Sequence, residues 1–141
     1  KMSPIQVGRY PGAPGKIATE VLRAADKVLK QDRVLALFPE GARSRNGQLG
    51  PAFSGAALIA MRSGAPVLPI GVSGTEKVQG FAWLLRRPQV SVNIGSAFYL
   101  DEPETGITGK ELTGATGLIM EHIAGLLPAG RRGNYGVKPG S

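Results

Sequence analysis

A carboxylate and a guanidinium three residues apart, Glu40 and Arg43, follow an apolar run in the segment Phe38-Pro39-Glu40-Gly41-Ala42-Arg43-Ser44. Arginine offers phosphate oxygens a rigid fork of donors, and such charge-assisted contacts are roughly twice as strong as neutral ones. Glutamate can accept a hydrogen bond from a hydroxyl or steady the guanidinium. Gly41 lets a backbone approach a ligand with no side chain in between. The set suits a polyol phosphate. The same letters also fit a plain strand-ending turn with Arg43 and Arg45 in solvent, so at this level both readings stay open.

These residues need a frame, and the hydrophobic pattern outlines one. Apolar residues Ile17, Val21, Leu22, Ala25, Val28 and Leu29 recur at three- and four-residue steps and predict a helix over 16–30. The unbroken run Val34-Leu35-Ala36-Leu37-Phe38, stopped by Pro39, predicts a strand buried on both sides. Ser54 is placed to cap a second helix with Ala57, Leu58 and Met61 on one face, and Gly64 to end it in a left-handed conformation. Residues 67–72 and the alternating Val90, Val92 and Ile94 predict two further strands, and a stripe through Leu112, Ala115, Leu118, Ile119, Ile123, Leu126 and Leu127 predicts a closing helix.

With residues 4–8 reading as a short opening strand, strand, helix, strand, helix, strand is the order of an α/β layered domain, with a mostly parallel (mixed) central sheet flanked by helices and incomplete at the N-terminus. Residues 1–128 form one such partial domain on this reading, and 129–141 read as a flexible tail. Ligands in such sheets gather beyond the carboxyl ends of the strands, where Arg9 and residues 40–43 fall.

Composition narrows the partners. At 141 residues and 42% apolar content the chain has the make-up of one globular domain, and no apolar run approaches a membrane span. Seventeen Lys and Arg against ten Asp and Glu leave a net charge of +7, which favours phosphate-bearing partners or an anionic membrane surface. With no cysteine and one histidine, thiolate catalysis and a zinc site are not expected, and no carboxylate cluster suggests a hard-metal cage.

The segment from Phe38 to Ser44 resembles the Phe-Pro-Glu-Gly-Thr-Arg-Ser motif of the glycerolphosphate and lysophosphatidic acid acyltransferase family, with Ala42 where threonine is usual. Arg9 after Ile5-Gln6-Val7 resembles the arginine motif that precedes it, and Gly64-Ala65-Pro66-Val67-Leu68-Pro69-Ile70-Gly71-Val72 the proline motif that follows. Leu126-Leu127-Pro128 and Arg132-Gly133-Asn134-Tyr135 resemble the end of many members.

The resemblance implies that Arg9 and Arg43 hold the phosphate of an acceptor lipid. Glu40 and Gly41 would hold its glycerol part, with Ser44 beside them, and Pro66, Val67, Pro69 and Ile70 would wall the acyl chain. It implies acyl transfer from acyl-CoA or acyl carrier protein to lysophosphatidic acid, giving phosphatidic acid in phospholipid biosynthesis. No cofactor is implied beyond the acyl donor as co-substrate. The implied location is the cytoplasmic face of a membrane, peripheral or anchored through an upstream segment.

The family's base, a histidine with an aspartate five positions later, has no counterpart here: His122 is the sole histidine, and position 127 is Leu127. His122 is expected to be structural or solvent-facing. The chain is accordingly read as lacking catalytic residues of its own, with the His-x-x-x-x-Asp segment expected upstream in the parent gene.

Two other readings remain. One is a non-catalytic binder of lipid phosphate that keeps the arginines and lacks the base. The other is a nucleic-acid module using Arg86-Arg87, Arg131-Arg132 and the rings of Tyr10, Trp83 and Tyr135. Its basic residues are scattered and aromatics are only 6%, so nucleic acid is not the expected partner. Residues 81–85 ahead of Arg86-Arg87 suit either an interfacial contact or core packing.

Overall fold

The computed structural model describes residues 14–42, 44, 46–75, 89–101 and 106–136. They fall into two compact units, 1–36 and 37–141. In the first, helix α1 spans Pro14–Leu29, matching the predicted face: Ala25 is buried, and Val21, Leu22, Val28 and Leu29 are half-buried. Asp32 closes its end at φ 53°, a left-handed turn that a short polar side chain tolerates, with its N–H bonded to the Leu29 carbonyl at 3.0 Å.

The second unit is built on two helices. Helix α2, Gly55–Ser63, buries Ala57, Ile59, Ala60 and Met61 and ends on Gly64 at φ 63°, whose N–H reaches the Ala60 carbonyl as predicted. Ser54 holds the N-cap position, but its hydroxyl caps nothing, because its backbone is already helical at φ −73° and ψ −1°. Helix α3 is Gly109–Gly125, three residues earlier at its start than the hydrophobic stripe suggested. A capping box places that start: the Thr108 hydroxyl accepts from the Glu111 N–H, and the Glu111 carboxylate accepts from the Thr108 N–H at 2.7 Å.

The Thr108 N–H, and then the Thr108 hydroxyl, hold the Glu111 carboxyl below its ordinary value of 4.5. A carboxyl depressed in the folded state stabilises above its unfolded value and loses that contribution as the pH falls through 4.5 and lower. Thermal melts across that range should therefore show a steeper acid loss for the wild type than for Glu111→Gln.

The sheet differs from the expected one. Strands β1, Ile70–Ser73, and β2, Ser91–Ile94, pair antiparallel with Ile70 opposite Ile94 and Val72 opposite Val92, and a bridge between Val67 and Phe98 extends the ribbon. The described residues are thus mixed α/β, with helices and a two-stranded antiparallel ribbon, and they show no mostly parallel central sheet. Hydrophobic period reports which residues form strands but not their direction. Here β2 lies antiparallel beside β1, and Gly74, at φ 91°, sits so close to Gln89 that a Cβ would run into its carbonyl.

The run 34–38 is also corrected. It lies outside any helix or strand, with Val34 90% and Phe38 85% exposed. A strand requires a neighbouring edge to take its N–H and C=O groups, and among the described residues none lies beside it.

The ribbon's inner side meets the end of α3: a Cβ on Gly71 would stand 2.8 Å from Leu126 Cβ, and the Asn93 amide donates to the Leu126 carbonyl at 2.8 Å. Helix α3 lies between two apolar clusters. Ile119 joins Ala57, Ala60, Met61 and Leu100 on one side, and Met120 joins Leu49, Ala124 and Leu127 on the other.

Candidate functional site

Leu49 belongs to a long polar loop, so its burial against α3 shows how the loop after Phe38 is held. Its neck is closed twice. The Phe53 N–H donates to the Pro39 carbonyl at 2.8 Å, and the Gly50 N–H donates to Glu40 Oε2 at 2.7 Å. The result is a compact loop with adjacent ends.

Gly41 makes the first bend, with φ 63° and its N–H on the Phe38 carbonyl at 3.0 Å; a Cβ there would be 3.0 Å from the Phe53 ring. At the tip Asn46 Oδ1 accepts from the Ser44 hydroxyl and the Gln48 N–H, both at 3.1 Å, a side-chain turn of the kind asparagine favours. Gly47 follows at φ 73°.

Of the residues predicted to bind substrate, Glu40, Gly41 and Ser44 lie on this loop. Glu40 is half-buried with one carboxylate oxygen committed to Gly50, which makes it a loop-closing group as well as a candidate ligand. Arg9 and Arg43 lie outside the described residues, as does the segment 81–87.

The predicted acyl-wall residues fall elsewhere. Pro66 is exposed, Val67 is half-buried at the bridge to Phe98, Pro69 is buried, and Ile70 is exposed on β1. Among the described residues no hydrogen bond links them to the loop. His122 is exposed and stacks on Phe98 with ring centroids 4.0 Å apart.

Sequence reasoning passed over the residues that close the loop: Asn46, Gln48, Leu49, Gly50 and the chain after Pro128. Two signals were present, the Asn46-Gly47 turn pair and a lone leucine in a polar stretch. Residues 129–135, read from composition as part of a flexible tail, form two 3-10 turns, Ala129–Arg131, which bonds back to this loop, and Gly133–Tyr135, whose Gly133 lies against Leu49. A cleft of about 340 Å³ lies between α3 and these turns, lined by Glu121, Gly125, Arg132, Asn134, Tyr135 and Gly136; no predicted site residue lines it. Among the described residues no three His, Asp or Glu side chains gather as a metal site, and no helix is long and apolar enough to cross a membrane.

Residues 8–73 match the Acyltransferase family, a span that starts beside Arg9 and contains the whole loop. The chain is 37% identical over 82 residues to a chloroplastic 1-acyl-sn-glycerol-3-phosphate acyltransferase of Brassica napus, covering 57% of this chain and 24% of that protein. It is 25% identical over 131 residues to a 1-acyl-sn-glycerol-3-phosphate acyltransferase of Pseudomonas aeruginosa, covering 93% of this chain and 50% of the relative. A chloroplastic counterpart from Arabidopsis thaliana is 37% identical over 59 residues, 42% of this chain and 17% of its own length. The chain thus spans at most half the length of these curated relatives. No solved structure matches it.

Proposed function

We propose that the protein carrying this chain, which matches the Acyltransferase family through residues 8–73, transfers a fatty acyl group to lysophosphatidic acid, forming phosphatidic acid. The observation that carries the reading is the closed loop 39–53. Two hydrogen bonds close its neck within the matched span, and its sequence bears the one Glu-Gly-x-Arg segment of the chain.

In the reaction the acceptor's free hydroxyl oxygen attacks the thioester carbonyl carbon. The hydroxyl proton passes to a base, the C–S bond breaks, and the thiol leaves on coenzyme A or acyl carrier protein. On this proposal the chain's own contribution is binding and orientation. Arg43 takes the phosphate, and the second Glu40 oxygen accepts from a glycerol hydroxyl while the first holds the loop. Positioning of this kind accounts for a large share of catalytic power. The base itself has no His-x-x-x-x-Asp pair among these 141 residues to supply it. The proposed setting is a membrane surface, where the acceptor resides and where a net charge of +7 is attracted by anionic lipids.

Phosphatidic acid formation from lysophosphatidic acid, measured separately with acyl-CoA and acyl-carrier-protein donors in the full protein, tests the reading. Product is expected with at least one donor, and none with either would refute it. The 141 residues alone are expected to bind lysophosphatidic acid in vesicles without turnover. That same outcome in the full protein would favour the second reading, a non-catalytic lipid-phosphate binder.

A further inference from the structure

The turns after α3 touch the loop along its return limb rather than at its neck. The Leu49 N–H donates to the Arg131 carbonyl at 2.9 Å, the Gln48 side-chain amide reaches the Gly130 carbonyl at 3.4 Å, and Arg131 Nη1 reaches the Gly47 carbonyl at 3.4 Å. Gly133, at φ 54°, lies so close that a Cβ there would run into the Leu49 carbonyl. Tyr135 packs on the cluster that holds Leu49, and Arg132 Nε ties the turn to the Leu127 carbonyl at 3.0 Å.

From this we infer that residues 129–135 are a brace that positions the acceptor-binding loop, with Gly133 and the Arg131 backbone as its positioning groups. Three consecutive loop residues, Gly47, Gln48 and Leu49, are engaged through about 80 residues of intervening chain, as the separations of 82 and 84 for two of these bonds show. Local sequence cannot set such a contact, and a loop that only linked two elements has no need of it. The brace acts on the limb opposite Glu40. The neck bond from Gly50 to Glu40 and the brace contacts at Gly47, Gln48 and Leu49 thus hold adjoining parts of the return limb. The brace supports the acceptor-binding loop there without touching the acceptor.

The consequence for affinity rests on the acyl-transfer reading, whereas the effect on the loop does not, so the experiment reads both. Amide hydrogen exchange at Leu49 and Gly50 is compared in the full protein for wild type, Gly133→Ala and Gln48→Ala, alongside KM and kcat for lysophosphatidic acid. Gly133→Ala is expected to raise exchange at both amides about tenfold while α3 amides such as Met120 stay protected. It should raise the acceptor KM severalfold with kcat at saturation little changed.

Gln48→Ala, which removes one exposed neutral bond, is expected to raise exchange about two- to fivefold. If Gly133→Ala exposes the α3 amides as well, Gln48→Ala decides the matter by the same readout. Unchanged exchange at Leu49 overturns the brace, and so does loosened exchange with unaltered KM. Loosened exchange in a protein that shows no turnover upholds the brace as a loop support and refutes the acyl-transfer reading instead.

Discussion

A Met120→Ala variant is expected to lose about 2–5 kcal/mol of unfolding free energy, the range for deleting a large buried side chain and leaving a cavity. Met120 is fully enclosed, at 0% exposure, in the cluster of Leu49, Ala124 and Leu127, with Ala52 and Tyr135 packed around it. It therefore sits under the loop and the brace together. Its loss removes the surface on which Leu49 rests, so the loop should loosen before the helices separate. Denaturant unfolding gives the free energy, and exchange at the Gly50 amide gives the loop. Leu118, 41% exposed on the same helix, is the control, and its alanine variant should cost under about 1 kcal/mol. Equal losses at both positions would mean that the cluster carries no special share of the fold.

The helices were legible in the sequence because each is specified by its own residues. The three-and-four spacing through Val21, Leu22 and Ala25 needs nothing outside α1, and Gly64 marks the end of α2 by a backbone conformation that few other residues adopt. The strands were legible as strands but not as a sheet. Val72 and Val92 alternate correctly, yet whether they run together or opposed depends on the path between residues 74 and 89, which periodicity does not encode. The run 34–38 fails for the same reason in sharper form, since its apolar residues predict burial while burial requires a covering layer.

At the candidate site the motif residues were legible and their supports were not. Glu40 reads as a ligand because carboxylates accept hydrogen bonds from hydroxyls. That it also closes the loop depends on Gly50, ten residues away with no side chain to announce it. The brace is harder still to read, since its strongest contact joins two backbone groups, Leu49 N–H and Arg131 C=O, and leaves no trace in residue type. Arg131 and Arg132 add to the positive charge of the composition, yet both also donate to backbone carbonyls, at Gly47 and Leu127.

Substitutions at Glu40 and Arg43 separate the two roles of Glu40. Arg43→Ala is expected to weaken acceptor affinity roughly 10- to 150-fold, the range corresponding to about 1.5–3 kcal/mol for a hydrogen bond to a charged group. Glu40→Ala should cost about tenfold, because Gly50 loses a charge-assisted acceptor and the neck is left with the Phe53 to Pro39 bond alone. Glu40→Gln keeps an oxygen for Gly50 and should recover most of that loss if loop closure is what matters.

The double variant decides between the roles. A glutamate that acts by holding the loop that presents Arg43 has little left to contribute once Arg43 is gone, so the two losses should fall short of adding by about 1 kcal/mol or more. A glutamate that grips the glycerol hydroxyl by itself contributes in either background, and its loss then adds in full. Affinity for lysophosphatidic acid measured across the four proteins distinguishes these outcomes. Full additivity would place Glu40 on the acceptor and leave the neck to the backbone bond between Phe53 and Pro39.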